Sequence, residues 1–560
     1  MGKLTRRDFS RMVGLGMTAA AWPSLASDSI TTAAGRQNKP NFLVIVADDM
    51  GFSDAGCYGG EIQTSNLDRL AANGLRFSQF YSTGRCWPSR ASILTGYYAQ
   101  QIRRDVFPGT KLGDRPIWAP LLPKLLKPLG YQSYHSGKWH VDGRPLNGGF
   151  DRSFEYSDSD HHFLPPSKMT QIDKPLQPVK TEEGYYASTA IADNAIRQLR
   201  EHAQKFSGRP FFEYLAFTEP HFPLQAPQED INRYRDKYLK GWDVVRRERR
   251  KRMIEKRIIT CNLSKLDDDI VPSWNLKPEE LRERIGSGEE PWAVPWQQLT
   301  AEQKKFQATK MAIHAAMVER VDREIGRVLD QVRAMNAYQN TVILFVSDNG
   351  ASAEQMIRGE GHNKSAPLGS AQSFICLGPG WSSAANTPLR LHKSWVHEGG
   401  ISTPLILHWP QGIKAHGELR HDAGHLIDIP LTLLQLAGGE WPGQWEGRPV
   451  PPKPGRSLVP VFAKDGSIRH DCLWWYHENN RAVRVGDWKL VSKGMEGPWE
   501  LYDLKTDRCE SNDLAAKNPA KVRELSEVWM RQADDFQKLS ATDAIGMPPV
   551  DGMKAAERSE

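Results

Sequence analysis

Asn41-Phe42-Leu43-Val44-Ile45-Val46-Ala47 runs straight into Asp48-Asp49. A continuous apolar run of this kind, rich in β-branched residues, suits a strand covered on both faces, as in a parallel sheet. Ligands in open α/β sheets collect at the carboxyl ends of the strands, so acidic metal ligands are expected there. Adjacent carboxylates repel unless something positive lies between them. The same order of residues recurs far along the chain, where Thr341-Val342-Ile343-Leu344-Phe345-Val346-Ser347 leads into Asp348-Asn349-Gly350. Two strand ends bearing carboxylates and an amide form an all-oxygen set, which favours a hard cation such as Ca2+ or Mg2+ over zinc. Taken singly, each pair reads equally well as a turn, since Asp-Asn-Gly is strong turn chemistry. A third apolar run, Phe211 to Phe217, extends the pattern. The fold class expected is α/β, with a large domain built on a mostly parallel central sheet flanked by helices.

Gly84-Arg85-Cys86-Trp87-Pro88-Ser89-Arg90-Ala91-Ser92-Ile93-Leu94-Thr95-Gly96 is the stretch richest in chemistry. Pro88 suits a first helical turn because it has no amide hydrogen to lose there. Cys86 then sits at a helix N-terminus, and Arg90, four residues on, shares its face. A cysteine so placed reads as a reactive thiolate or as a small buried apolar residue.

The full string resembles the sulfatase signature, Cys-x-Pro-Ser-Arg followed by Leu-Thr-Gly. Gly130-Tyr131-Gln132-Ser133-Tyr134-His135-Ser136-Gly137-Lys138-Trp139-His140 resembles the second signature of that family without a mismatch. Glu219-Pro220-His221-Phe222-Pro223 is similar to its Pro-His-x-Pro turn, and Asn386 to Lys393 with Trp395 to Pro404 is similar to its lysine and Glu-Gly-Gly segment. The matches run from Asn41 to about Gly439. This resemblance implies an alkaline-phosphatase-like fold and a sulfuric ester hydrolase, arylsulfatase-like, whose natural target is a sulfated carbohydrate or an aryl ester.

The resemblance also implies the roles. Cys86 is oxidised to formylglycine by a formylglycine-generating or sulfatase-maturating enzyme, and the aldehyde hydrate attacks sulfur. Asp48, Asp49, Asp348 and Asn349, with the modified Cys86, hold a divalent cation, Ca2+ first, with Mg2+ or Mn2+ as alternatives. Asp348 takes the proton of the attacking hydroxyl. Arg90, Lys138 and Lys393 neutralise the sulfuryl oxygens, His221 with Lys393 assists the departing alcohol, and His140 removes the second hydroxyl's proton. The rival readings are a phosphodiester or phosphonate monoester hydrolase of the same superfamily, and a non-catalytic sulfoglycan-binding protein in which Cys86 stays a thiol.

The chain has 560 residues, more than one core usually organises. Residues 41–456 are expected to form the catalytic domain, with an insertion at about 230–300, and 457–545 a small α+β domain with an antiparallel sheet; 546–560 is a tail. At the N-terminus, Thr5-Arg6-Arg7-Asp8-Phe9, the apolar run Met12 to Trp22 and Ser24-Leu25-Ala26 make a twin-arginine export signal over 1–26, followed by a linker over 27–40. A periplasmic or secreted protein without stable membrane insertion follows. Lys3, Arg6, Arg7 and Arg11 against Asp8 carry half of the formal +6 charge, so the balance gives no argument for nucleic acid.

Six cysteines leave five once Cys86 is consumed, an odd number that excludes a fully paired framework. One disulfide is compatible with export, its partners not specified. The cluster Arg246, Arg247, Arg249, Arg250, Lys251, Arg252, Lys256 and Arg257 invites a polyanion reading, but the interspersed Glu248 and Glu255 favour a solvated helix face. Substrate-reading loops are expected at Tyr156 to Pro166, with His161 and His162, and at Gly359 to Ser370, with His362.

Overall fold

Strand register decides where the chemistry gathers. In the computed structural model, which describes residues 39–541 apart from 111, 157–160, 164–169, 172–173, 176–183 and 360, the run Asn41–Ala47 is a central strand. It pairs in parallel with Thr341–Ser347 on one side and Phe211–Ala216 on the other. Phe211–Ala216 in turn pairs in parallel with Gln132–Lys138, and that strand with Arg152–Tyr156. On the far side Leu405–His408 runs antiparallel to Thr341–Ser347, followed by Leu75–Phe77 and Glu418–Arg420. With two short strands beyond Arg152–Tyr156 the sheet has ten strands among the described residues and is mostly parallel, as its apolar runs predict. The export signal, the linker as far as residue 38 and the tail lie outside the described residues.

Alternation along these strands feeds two separate cores. Leu43 and Ile45 point into one apolar layer with Leu215, Ile343 and Phe345, while Phe42, Val44 and Val46 point into the other with Tyr214, Leu344 and Val346. The first layer is covered by the helices Ala187–Lys205 and Ala301–Ala334. The longer helix starts at Thr300, whose side chain accepts from the Gln303 amide while the Gln303 side chain accepts from the Thr300 amide; the two satisfy donors that a helix start otherwise leaves open. Its buried face carries Met311, Ala315, Val318, Val321, Ile325 and Val328, the periodicity read from sequence.

Toward the C-terminus, Leu473–His477, Asn480–Val485, Trp488–Ser492 and Glu500–Asp503 form an antiparallel sheet in chain order, packed by the helix Pro519–Ala541. A buried polar knot joins this sheet to the short helix Glu398–Ile401 and to the strand Phe80–Tyr81. Glu398 accepts from Lys489 (2.9 Å), Arg508 (3.2 Å) and the Tyr81 hydroxyl (3.0 Å). Burial opposes its charge, yet Lys489 and Arg508 hold its pKa down to about 2. A disulfide between Cys261 and Cys509 makes a second tie, from the insertion to the small sheet, and Cys57, Cys86, Cys376 and Cys472 are free.

The expected solvated face of the basic cluster needs correction. On the helix Trp242–Glu255, Arg247 and Lys251 are exposed, but Arg246 and Arg249 point inward. Arg249 reaches Asp54 (2.7 Å) and Glu61 (2.8 Å), and Arg246 donates to the Ser264 carbonyl (2.7 Å). A buried guanidinium persists only when paired and hydrogen-bonded, and here the acids come from the loop that follows Asp48-Asp49. Among the described residues no helix is long and apolar enough to cross a membrane.

Candidate active site

Four adjacent parallel strands deliver their carboxyl ends to one place. Ala47 lies in register with Ser347 and Val46 with Ala216, so Asp48 and Asp348 emerge side by side. Gly137 makes the neighbouring strand fit, for a Cβ there would meet the Ala216 carbonyl oxygen at 1.8 Å. Asp49 sits at φ 63°, a left-handed conformation that residues with a Cβ rarely use, and its amide donates to Asp348 Oδ1 (3.3 Å). Asn349 Nδ2 donates to Asp49 Oδ1 (2.6 Å).

Three cations face these three carboxylates. Lys138 Nζ lies 2.7 Å from Asp48, Arg90 2.8 Å from Asp348, and Lys393 3.0 Å from Asp49, all buried. Arg90 also donates to the Lys138 carbonyl (3.1 Å), which fixes one cation against the backbone of another. Even so, burial and then the charge of Asp48 push Asp348 up to about 7, against Arg90 and Lys138. Asn349 Oδ1 is buried without a hydrogen-bond partner. Clustered carboxylates and an orphaned amide oxygen at the same strand ends are the mark of a donor set that a hard cation would complete. Asp48, Asp49 and His221 also offer ligand atoms within 4.8 Å of one another, so a divalent cation has a candidate site at this edge.

Cys86 opens the helix Cys86–Thr95 as Pro88 requires, almost fully buried. Arg90 lies one turn along the same helix, and Cys86 is near enough to both Arg90 and Lys393 to interact electrostatically with each. His140, at φ 51°, lies with its ring 5.7 Å from the Trp87 ring and tilted by 55° to it. His221 is held from behind. Its Nδ1 lies 2.6 Å from the Phe222 carbonyl, which leaves Nε2 facing Asp49 at 3.8 Å, and burial and then Lys393 lower its pKa. Lys393 is flanked by left-handed Leu391 and Ser394, a strained turn around a functional side chain.

The predicted substrate loops divide. His161 lies beside Phe374 at 6.3 Å and contacts Gln225 (3.3 Å). His162 is corrected from a pocket residue to a support, being buried with its Nε2 at the His221 carbonyl (3.0 Å) and its Nδ1 at Glu219 (3.4 Å). His362 accepts from the Phe374 amide (2.9 Å) and so pins its own loop. Residues 157–160 and 164–166 of the first loop lie outside the described residues.

Several residues at the site escape a reading of the sequence. Glu354 is buried between Lys393 (3.1 Å) and Arg85 (3.3 Å), and accepts from Trp274 (3.0 Å). Arg85 lies over the rings of Trp87 and Trp274 and donates to Ser394 (2.7 Å). From the small sheet, His477 packs 5.4 Å from Trp87 and pairs with Asp105 (2.9 Å), while Asn480 donates to the Ser394 carbonyl (3.0 Å). The only local signal for the last pair is a turn of polar residues between two strands.

Comparison with known proteins follows this geometry. The Sulfatase family profile matches residues 40–439, and the profile described as N-sulphoglucosamine sulphohydrolase, C-terminal, matches residues 390–536. An uncharacterised sulfatase of Schizosaccharomyces pombe is 34% identical, covering 93% of this chain and 98% of its own. The arylsulfatase of Klebsiella aerogenes is 30% identical over 76% of this chain and 93% of its own. The crystal structure of Ps i-CgsB in complex with k-i-k-neocarrahexaose superposes with a TM-score of 0.62 at 22% identity, covering 93% of this chain and 97% of that one.

Proposed function

The chain belongs to the sulfatase family and is a sulfuric ester hydrolase, and from that premise we propose that it cleaves sulfate monoesters of carbohydrates through a formylglycine made from Cys86 and a divalent cation. The observation that carries this is the meeting of Asp48, Asp49, Asp348 and Asn349 with Arg90, Lys138 and Lys393 around the buried Cys86. One cation already answers each carboxylate. A divalent ion held by Asp48, Asp49, Asp348 and Asn349 leaves a net positive pocket, which a sulfate monoester, itself an anion, then fills.

When bound, Ca2+ would supply a Lewis acid for a sulfate oxygen, and the hydrated formylglycine a nucleophilic hydroxyl with a second hydroxyl behind it. The chain's own side chains do the rest. Arg90, Lys138 and Lys393 hold the sulfuryl oxygens, and their fixed positions need no rearrangement as charge builds on them. Asp348, held by Arg90 at the strand end, takes the proton of the attacking hydroxyl. His221, oriented by the Phe222 carbonyl, and Lys393 flank the departing alcohol. His140, tilted against Trp87, takes the proton of the second hydroxyl.

Carbohydrate is favoured as the alcohol by relatives that include an N-acetylglucosamine-6-O-sulfatase of Bacteroides thetaiotaomicron, 25% identical over 92% of this chain and 90% of its own. The twin-arginine leader supports export to the periplasm, which cell fractionation checks. The mechanism is tested at Cys86. Cys86→Ser and Cys86→Ala abolish turnover of 4-nitrophenyl sulfate, and the peptide carrying residue 86 has one oxygen in place of two hydrogens and a sulfur. Near-wild-type turnover in either variant, or an unmodified thiol in fully active protein, removes the aldehyde from the mechanism. Faster hydrolysis of phosphodiesters than of sulfate monoesters by the same preparation selects the phosphoesterase instead.

A further inference from the structure

Arg358 stands out among the cations around the pocket. Arg85, Arg90, Lys138 and Lys393 each lie against a carboxylate. Arg358 has no ion-pair partner among the described residues, and its Nε is shut away from water without a hydrogen-bond partner. The guanidinium instead lies 5.0 Å over the Phe222 ring. That ring is 4.1 Å from the His221 ring, and Lys393 Nζ is 5.7 Å from its centre. Arg358 is thus one aromatic ring removed from the two side chains assigned to the departing alcohol. It belongs to the stretch between the strand Thr341–Ser347 and the helix Pro379–Ala385, a connection long enough to be functional and with no helix or strand of its own among the described residues.

A half-buried guanidinium with no acid beside it among the described residues is unfavourable unless something anionic arrives. Stacking on an aromatic face leaves its edge N–H groups directed outward in the fork that matches a carboxylate or a sulfate. We propose that Arg358 forms a second anion subsite, and that the preferred substrates are sulfated saccharides carrying a further anionic group, a second sulfate or a carboxylate, on or next to the sugar that bears the scissile ester. The inference rests on the sulfate-ester reading above and adds a substrate class to it. Because the second anion meets Arg358 before and after sulfur is attacked, the contact acts on binding and shows in KM.

The test compares wild type, Arg358→Ala and Arg358→Lys on 4-nitrophenyl sulfate and on two kinds of matched saccharide pairs, with the ester placed at each ring position in turn. One pair sets N-acetyl against N-sulfo on the same monosulfated glucosamine, and the other sets a uronate methyl ester against the free uronate in the same sulfated disaccharide. A charge-assisted hydrogen bond corresponds to about 10- to 100-fold in binding. Wild type is expected to prefer the doubly anionic member of at least one pair by that factor in kcat/KM, mostly through KM. The pair that shows it identifies the second sulfate or the carboxylate as the group read. Arg358→Ala erases the preference without lowering the melting temperature, and Arg358→Lys restores part of it. Turnover of 4-nitrophenyl sulfate with no preference in any pair, or an equal loss in Arg358→Ala on singly and doubly anionic substrates, overturns the second subsite and leaves the sulfatase reading intact. No turnover of any ester overturns both.

Discussion

Glu213 is the residue whose replacement is expected to make this protein more stable. The strand Phe211–Ala216 alternates, and Phe211 and Leu215 enter the helix-covered apolar layer. Glu213 shares that parity, is fully buried, and has no hydrogen-bond partner at either oxygen among the described residues. Burial alone raises its pKa well above the ordinary 4.5. Between 4.5 and the folded-state value the native protein therefore holds a proton that the unfolded chain has released. Stability then falls by about 1.4 kcal/mol per pH unit as pH rises through that window. Glu213→Gln keeps the shape and the neutral polarity but has no proton to hold. At pH 4.5 and below the two proteins should unfold alike, and at pH 7 the variant should be the more stable. Urea unfolding of both proteins at intervals from pH 4.5 to 8, with the slope m checked for constancy, reads the difference directly. Because Glu213 lies on the face of the sheet opposite Tyr214, which neighbours Arg90, activity should not change. Parallel pH dependence in the two proteins, or a less stable variant at pH 7, would refute the assignment of a neutral, unpaired carboxyl in the core.

Two further expectations concern the site. Burial opposes the charge of His477, but Asp105 and Glu478 push its pKa up to about 9 from 6.5, so its ion pair stabilises fully below pH 6.5 and that contribution is lost as pH rises through 9. His477→Gln should remove about 3 kcal/mol of pH-dependent stability across that window, and since the ring packs on Trp87 the variant should also raise KM; an unchanged slope refutes the pairing. Chelator-treated protein given Ca2+ at a hundred times its Kd should gain about 3 kcal/mol of unfolding free energy, and Asp49→Asn should lose most of this gain. The absence of any shift with Ca2+, Mg2+ or Mn2+ would remove the cation from the site.

Local chemistry made much of this protein legible in its sequence. The apolar runs before Asp48 and Asp348 suit strands covered on both sides, and Pro88 suits a first helical turn, because these are properties of neighbouring residues. The motif residues Arg90, Lys138, His140, His221 and Lys393 are legible only through the resemblance of their short segments to the sulfatase signatures. Tertiary structure decided what no local pattern contains. Register between Ala47 and Ser347 set the distance between carboxylates far apart in the chain. Folding of the insertion turned Arg246 and Arg249 inward while their neighbours stayed in water. Glu354, His477 and Arg358 joined the site from a loop and a hairpin whose residues look like ordinary turns. Whether a charged side chain ends paired, buried or unanswered depends on which distant segment packs against it, and that is settled only when the sheets and loops come together.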